Sequence, residues 1–410
     1  MNIPQPVAKP PPNLQLEGVR GIACLMVALS HTLYLTNLDP TVVLPRWLHT
    51  IEAGGTGVLV FFVLSGYLIT WTNPGPCTPQ TRRAYLWRRV IRLAPIYYVA
   101  LALTVAVAFL RGDHGQIRSV VAAFLGLQNF NDYFGFKVSV PMSNGPLWSL
   151  NYELLYYGLF VLLWRHQPRL GWVFLPAAAA TLLGWFTPQI MPLFLASYAC
   201  GWLFWAAGWW LARRPELPAD APHSRVVTWL LLIFAGHQLG DVTRILNALG
   251  LHSADAGMVA LGQLGVLPPI LLLMADVGRR RLPAAPLLVI LAWLACLVPL
   301  AGMLWTGRLW TEPAWITGGV AVLLAIAALP CKTTAWLKSF AGLGSISYAF
   351  YVVHFPLLFV VQRLPLPRGT IPAYFGRMLV WAILTVSLAW FLELRFQPWI
   401  KARLPRPNPT

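Results

Sequence analysis

Long apolar runs separated by short polar segments dominate the hydrophobicity pattern of the chain. Most runs approach the roughly 20 residues that a helix needs to cross the hydrocarbon core of a bilayer. We therefore predict an all-α fold, a polytopic transmembrane helix bundle of about 10–12 spans. The lower number allows for the short seventh run and for a break at Pro268 and Pro269. The twelve runs cover residues 16–36, 57–74, 91–110, 146–165, 170–187, 190–212, 226–240, 257–277, 284–305, 313–330, 343–363 and 374–394.

The composition agrees with a membrane protein and explains the strongly basic charge. Of 410 residues, 58% are apolar and 10% are charged, against about 25% charged in soluble domains. The net charge is +17, but its distribution favours membrane topology over a nucleic-acid partner. With a cytoplasmic N-terminus and twelve spans, twenty lysines and arginines fall on the cytoplasmic side and nine on the other. This positive-inside bias predicts that both termini are cytoplasmic. The expected location of such a multi-pass chain is the cell (inner) membrane.

The runs also define the expected domain organisation. Residues 1–15 are proline-rich with a single lysine, and we expect a cytoplasmic arm and not a signal peptide. Residues 16–396 form one integral-membrane domain, and residues 397–410 form a cytoplasmic tail. The five cysteines are scattered without metal-binding spacing, so no metal is expected.

The first run contains two ionisable residues, in the stretch LEGVRGIACLMVALSH. Arg20 and His31 are eleven residues apart, which places them on one helix face, separated by about 16 Å along the axis. Arg20 could extend to the interface while His31 caps the far end of the span. Ionisable groups that face a bundle interior usually mark a function, however. Both residues are therefore candidates for an active site.

Two further stretches carry candidate binding residues. The second run has Ser65 within a glycine-rich stretch whose small residues favour close helix packing. Five arginines precede the third run, among them Arg88, Arg89 and Arg92. Arg92 shares a helix face with either of the other two, at spacings of four and three residues. These arginines either anchor the topology or bind phosphates, for which guanidinium groups are well suited.

Glu153 in the fourth run is hard to explain by packing, because it lies one to two turns inside the predicted membrane. Its helix face is shared with Ser149 and with Tyr156 or Tyr157.

The eleventh run contributes His354 on a face with Ser347 and Tyr351, and Pro356 predicts a kink there. In the last run, Glu393 and Arg395 predict a salt bridge or a lipid contact at the cytoplasmic boundary.

Five of these stretches, in this order, make the chain resemble acyltransferase family 3, the membrane-bound O-acyltransferases of cell-envelope glycans. They are LEGVRGIACLMVALSH, FFVLSGYLI, the RRVIR arginine motif, WSLNYELLYY and GSISYAFYVVHFP, spanning residues 16–358. The differences are small, such as Glu17 and Tyr67 where aspartate and phenylalanine are common. The resemblance implies transfer of an acyl group, usually acetyl from cytosolic acetyl-CoA, to a hydroxyl of a glycan or another envelope or secreted acceptor.

The resemblance and the residue positions together suggest a site. Arg88, Arg89 and Arg92, with Ser65 nearby, would bind the acyl-CoA donor, helped by Arg20. His31 would act as general base or as acyl carrier, and Glu153 would orient or charge-balance His31 or Arg20. His354 is a second acid–base candidate. Ser65, Ser149 and Tyr351 are candidate oxyanion donors.

The expected partners are acyl-CoA, a glycan or lipid-linked saccharide acceptor and membrane lipids, with no nucleic acid; a homo-oligomer is compatible with the sequence. A secondary transporter or acyl-group translocator without transfer chemistry is the alternative. A transporter predicts repeated motifs in paired halves, whereas each motif here occurs once.

Overall fold

The computed structural model of the protein describes residues 13–34, 38–112, 117–128, 142–187, 193–218, 225–240 and 259–404. Within these ranges the chain is a helix bundle without β-strands, which confirms the predicted all-α fold. Six helices in the described part are long and apolar enough to cross a membrane, or seven when one bent pair counts as a single span. Three shorter apolar helices accompany them.

Each of the twelve apolar runs contains a helix. The helices are α1 (Leu14–Leu29), α2 (Arg46–His49), α3 (Gly54–Trp71), α4 (Pro79–Arg111), α5 (Ile117–Phe124), α6 (Trp148–His166), α7 (Leu170–Phe186), α8 (Leu193–Ala212), α9 (Val226–Leu239), α10 (Leu267–Gly278), α11 (Ala285–Trp305), α12 (Pro313–Ala327), α13 (Ala341–Ser345), α14 (Ser347–Arg363), α15 (Ile371–Phe391) and α16 (Gln397–Arg403). A π-helical turn, Ser30–Tyr34, extends α1, and a 3-10 helix, Met142–Leu147, precedes α6.

Local sequence explains where these helices begin and end. The Asn13 side chain accepts hydrogen bonds from the first turn of α1, and Thr78 forms a capping box with Thr81 at the start of α4. Gly112 ends α4 in the left-handed conformation, which glycine adopts without steric cost. Pro268 and Pro269 lie in the first turn of α10, where proline fits because the first amide groups of a helix lack intrahelical partners.

Glycine contacts bring α3 against α8 at the centre of the bundle. A Cβ atom on Gly66 would lie 2.0 Å from the Trp205 carbonyl oxygen, and one on Gly208 would lie 2.0 Å from that of Val63. Only glycine allows this approach of two backbones. The packing interpretation of the small residues around Ser65 is thereby supported.

The bend in the eleventh run lies elsewhere than predicted. α14 continues through Pro356, whereas the segment Ala335–Ser345 meets α14 at 63°. Gly344 lies at this junction, and a Cβ atom there would be 1.9 Å from the Glu17 carbonyl oxygen of α1. Close contact with α1 therefore accompanies the bend.

Several predictions fall outside the described residues or are not tested by them. Most of the arm, residues 1–12, and the end of the tail, residues 405–410, are not described. Residues 241–258, which bear on the number of spans, are not described either. The side of the membrane on which the termini lie stays a prediction.

Candidate active site

Five of the eight predicted site residues line one cavity of about 140 Å³ in the bundle. They come from four helices: Arg20 from α1, Ser65 from α3, Arg89 and Arg92 from α4, and Glu153 from α6. Ser149, Ser347 and Tyr351 also line it. Polar residues on separate apolar runs thus face one space, as expected when ionisable groups point into a bundle interior.

Glu153 has different partners from those predicted. Its Oε1 atom accepts hydrogen bonds from the Ser65 hydroxyl at 2.9 Å and from the Tyr157 hydroxyl at 2.5 Å. The suggestion that Glu153 orients His31 or Arg20 therefore has no support in its hydrogen bonds. Of the two tyrosines, Tyr157 lines the cavity, while Tyr156 is buried and donates to the Tyr198 carbonyl.

The arginines are held in different ways. Arg20 binds both carboxylate oxygens of Glu17 at 3.0 Å, and Arg92 pairs with Glu393 across the bundle. Glu393 therefore forms a salt bridge, one of the two contacts predicted for this boundary, and its partner is Arg92. Arg89 lies 5.7 Å from the ring centres of both Tyr85 and Tyr157. Its Nε is buried and makes no hydrogen bond within the described residues.

Arg88 lies outside the cavity. It is exposed and donates to the Asn73 side-chain oxygen at 2.7 Å. Successive helical residues point about 100° apart, so α4 cannot turn Arg88 and Arg89 toward the same space. Arg89 and Arg92 therefore line the cavity together, whereas Arg88 lies outside it.

His31 and His354 contact each other although 323 residues separate them in the chain. His31 Nδ1 lies 2.8 Å from His354 Nε2, and His354 Nδ1 lies 2.7 Å from the Tyr351 carbonyl oxygen. A carbonyl can only accept, so His354 Nδ1 carries the proton and, in the neutral ring, Nε2 accepts. His31 Nδ1 must then donate, and its Nε2 is left unprotonated.

Aromatic packing holds this histidine pair in place. The two rings stack with centres 5.0 Å apart, and the Phe355 ring packs edge-on against His31 at 5.1 Å. His354 is fully buried, and Trp381 donates to its carbonyl oxygen at 2.8 Å. His31 is partly exposed and lies in the π-helical turn that extends α1. Such turns are frequent at functional sites.

Tyr351 connects the histidine pair to the cavity. Its carbonyl accepts from His354, and its side chain lines the cavity beside Ser149, with the two hydroxyl oxygens 2.7 Å apart. The Tyr351 hydroxyl also lies 2.8 Å from the Pro146 carbonyl. Tyr351 therefore contacts the predicted catalytic histidine His354 and lines the same cavity as the predicted binding residues Arg89 and Arg92.

A second polar cluster was missed by the sequence analysis. Glu52 accepts from the Ser30 hydroxyl at 2.8 Å and from the Gly54 amide at 3.0 Å, and it pairs with His237 at 3.1 Å. The other His237 nitrogen lies 2.9 Å from the Thr56 hydroxyl. Because Ser30 precedes His31, this cluster borders the histidine pair. A histidine within the short seventh run was the available signal.

Comparisons with known proteins agree with the resemblance seen in the sequence. A family model described as an acyltransferase domain matches residues 13–394, nearly the whole chain. Neither the curated proteins nor the solved structures contain a significant match.

Proposed function

Because the chain belongs to acyltransferase family 3, we propose that it moves an acyl group, acetyl in the first instance, from cytosolic acyl-CoA to a hydroxyl group. The proposed acceptor is a cell-surface polysaccharide or another envelope or secreted molecule. One observation carries this proposal. His31 and His354 form a hydrogen-bonded pair, which in its neutral form leaves His31 Nε2 unprotonated, next to helices that line an arginine-bearing cavity.

The cavity suits the donor end of the reaction. Arg89 forms no ion pair among the described residues, whereas Arg20 is paired with Glu17, so Arg89 is the main source of positive charge in a cavity whose wall also holds apolar residues such as Phe61 and Leu68. Charge of this sign attracts phosphate, and the apolar wall suits an uncharged pantetheine arm. Arg92 contributes less, since Glu393 already neutralises it.

The histidine pair suits the transfer step. As general base, His31 Nε2 takes the proton from the acceptor hydroxyl while its oxygen attacks the thioester carbon, and the carbon–sulfur bond breaks. The CoA thiolate then recovers that proton. In the covalent route, Nε2 itself attacks the carbon and CoA leaves as the thiolate; the acceptor hydroxyl later displaces imidazole, and its proton passes to the thiolate. In both routes the positive charge on His31 is shared with His354 through their hydrogen bond.

Ser149 and Tyr351 are the hydroxyls proposed to stabilise the negative charge that develops on the thioester oxygen. Both line the cavity, and Tyr351 also contacts His354. Tyr351 donates to the Pro146 carbonyl and Ser149 then donates to Tyr351, so this role requires the two hydroxyls to turn toward the bound thioester.

The test uses full-length protein in nanodiscs with radiolabelled acetyl-CoA, with and without an envelope glycan extract. We expect CoA release that depends on the extract and that falls by about 10²-fold or more in His31→Ala. His354→Gln should also lower release, while acetyl-CoA binding persists in both variants. His166→Ala is the matched control, because His166 is exposed at the end of α6.

The same experiment separates the two routes and the rival function. Label retained on the parent but absent from His31→Ala supports the acyl carrier. Release without retained label supports direct transfer. If no extract and no acyl-CoA gives label or release, the proposal is wrong and a transporter becomes the better interpretation.

A further inference from the structure

A second cavity, of about 550 Å³, lies where α3, α6 and α8 end. Its walls include three tryptophans, Trp71, Trp164 and Trp209, and two arginines, Arg213 and Arg280. None of these residues takes part in the site described above. A space of this size with aromatic walls and charged groups has the character of a ligand site.

Trp71 is the partly exposed tryptophan of this wall, and the buried Trp164 and Trp209 are held in place behind it. The Trp164 ring is oriented by a hydrogen bond from its Nε1 to the Gly75 carbonyl at 2.7 Å. Trp209 is almost fully buried and carries the Arg213 guanidinium over its ring at 4.6 Å. Aromatic side chains of this kind stack on nucleobases without regard to base identity.

Two positive charges at the cavity are free to bind an anion. Arg213 is exposed and forms no ion pair with a carboxylate among the described residues. Arg88 does not line the cavity itself but donates to the neutral side chain of Asn73, which does. Arg280, by contrast, is occupied by Glu216, the Tyr67 hydroxyl and the Arg214 carbonyl. Arginine in this setting favours phosphate.

The second cavity adjoins the first. On α3, Ile69 lines the cavity of the candidate active site (the central cavity), and its neighbour Thr70 lines the second cavity. On α6, Tyr157 lines the central cavity and Phe160 lines the second. The Tyr85 ring lies between them, 5.7 Å from the Arg89 guanidinium and 5.2 Å from the Phe160 ring. One extended molecule with a flat anionic end could therefore occupy both.

We propose that the second cavity binds the nucleotide end of the acyl donor. The adenine stacks against Trp71, Arg213 and Arg88 bind the phosphates, and the pantetheine arm enters the central cavity. This assignment rests on the proposed function for the identity of the donor. It also gives Arg88 a role that its absence from the central cavity left open.

Binding measurements on full-length protein in phosphatidylcholine nanodiscs test the assignment, with acetyl-CoA, 3′-phospho-ADP and acetyl-pantetheine as probes. Arg213→Gln should weaken acetyl-CoA and 3′-phospho-ADP about tenfold or more and leave acetyl-pantetheine unchanged. Arg214→Gln is the matched control, because Arg214 stacks on Trp210 and does not line the cavity. Arg88→Gln is a second variant on a different helix and should show the same pattern.

The outcomes are distinguishable. If the parent binds acetyl-CoA and both arginine variants bind it equally well, the nucleotide site is wrong while the proposed function stands. If the parent binds no acyl-CoA, the proposed function itself fails. If 3′-phospho-ADP does not bind but phosphatidylglycerol binds in an Arg213-dependent way, the cavity is a lipid headgroup site and the assignment is overturned.

Discussion

At the scale of single residues, the partner of Arg92 changes the role that we expect for this residue. Its position before the third apolar run suggested a phosphate contact, but its guanidinium pairs with Glu393, whose side chain is only 3% exposed. Glu393 also accepts a hydrogen bond from the Ala349 amide. A carboxylate this buried needs a positive partner, because an unpaired buried charge is strongly unfavourable.

We therefore predict that Arg92→Gln acts mainly on stability. It leaves Glu393 without its positive partner and should lower the free energy of unfolding by about 1–3 kcal/mol, less than for a fully buried pair because Arg92 is partly exposed. Adding Glu393→Gln should recover much of this loss. The measurement is a thermal unfolding cycle of the parent, both single variants and the double variant in nanodiscs.

The opposite result would support the prediction from the sequence that Arg92 binds the acyl-CoA donor. If Arg92→Gln unfolds like the parent but binds acetyl-CoA more than tenfold less tightly, Arg92 is a donor-binding residue. Arg395→Gln serves as the control, because Arg395 is exposed and lies over the Trp390 ring.

The residue contacts show what the sequence could and could not predict. Helical spacing correctly grouped Ser149 with Glu153, which line one cavity. The catalytic roles of His31 and His354 stay predictions. Helical spacing could not pair His31 with His354, or Glu52 with His237, because helical periodicity reports the faces of one helix and not which helix is its neighbour. Contacts across 323 and 185 residues depend on how the helices pack.

At the scale of elements, the packing of α3 on α8 positions one wall of the site. Ser65 lies one residue before Gly66, and Trp205 donates to the Ser65 hydroxyl at 3.3 Å. The same Trp205 supplies the carbonyl that approaches Gly66. Trp205, at the closest contact between the two helices, therefore also orients the Ser65 hydroxyl. That hydroxyl donates a hydrogen bond to Glu153.

Gly66→Ala should separate these helices. Its Cβ atom would meet backbone rather than a movable side chain, so we expect a loss of about 1–3 kcal/mol in stability. Activity should fall as well, because Ser65 and Glu153 shift. Gly208→Ala, on the facing helix, should behave in the same way. Thermal unfolding and CoA release are the readouts.

The matched control is Gly158→Ala on α6, where an added Cβ atom meets nothing within 4 Å. Alanine favours helix more than glycine does, so this change should be neutral or slightly stabilising. Equal effects of the three substitutions would mean that helix propensity, and not close packing, governs the response.

At the scale of the whole molecule, the positions of the second cavity and the second polar cluster agree with spans that alternate in direction across the membrane. The ends of α3, α6 and α8 surround the second cavity, whereas Ser30 after α1, Glu52 before α3 and His237 near the end of α9 meet at the second polar cluster. The second cavity and the second polar cluster therefore lie toward opposite ends of α3. In the proposed function, the acceptor would reach the histidine pair from one side and the donor would enter from the other.

This arrangement works only if the arginine-bearing cavities face the cytosol, where CoA is found. The positive-inside bias predicts that orientation.

Single-cysteine labelling with a membrane-impermeant maleimide in right-side-out vesicles tests this orientation. Cys77 and Cys331, the partly exposed cysteines, are first replaced by serine. Arg83→Cys should react only after the membrane is opened, and Arg368→Cys should react in sealed vesicles. Both positions are exposed, so access to the reagent and not burial decides the result. The reverse pattern would place the second cavity outside the cell and contradict both the donor route and the nucleotide site.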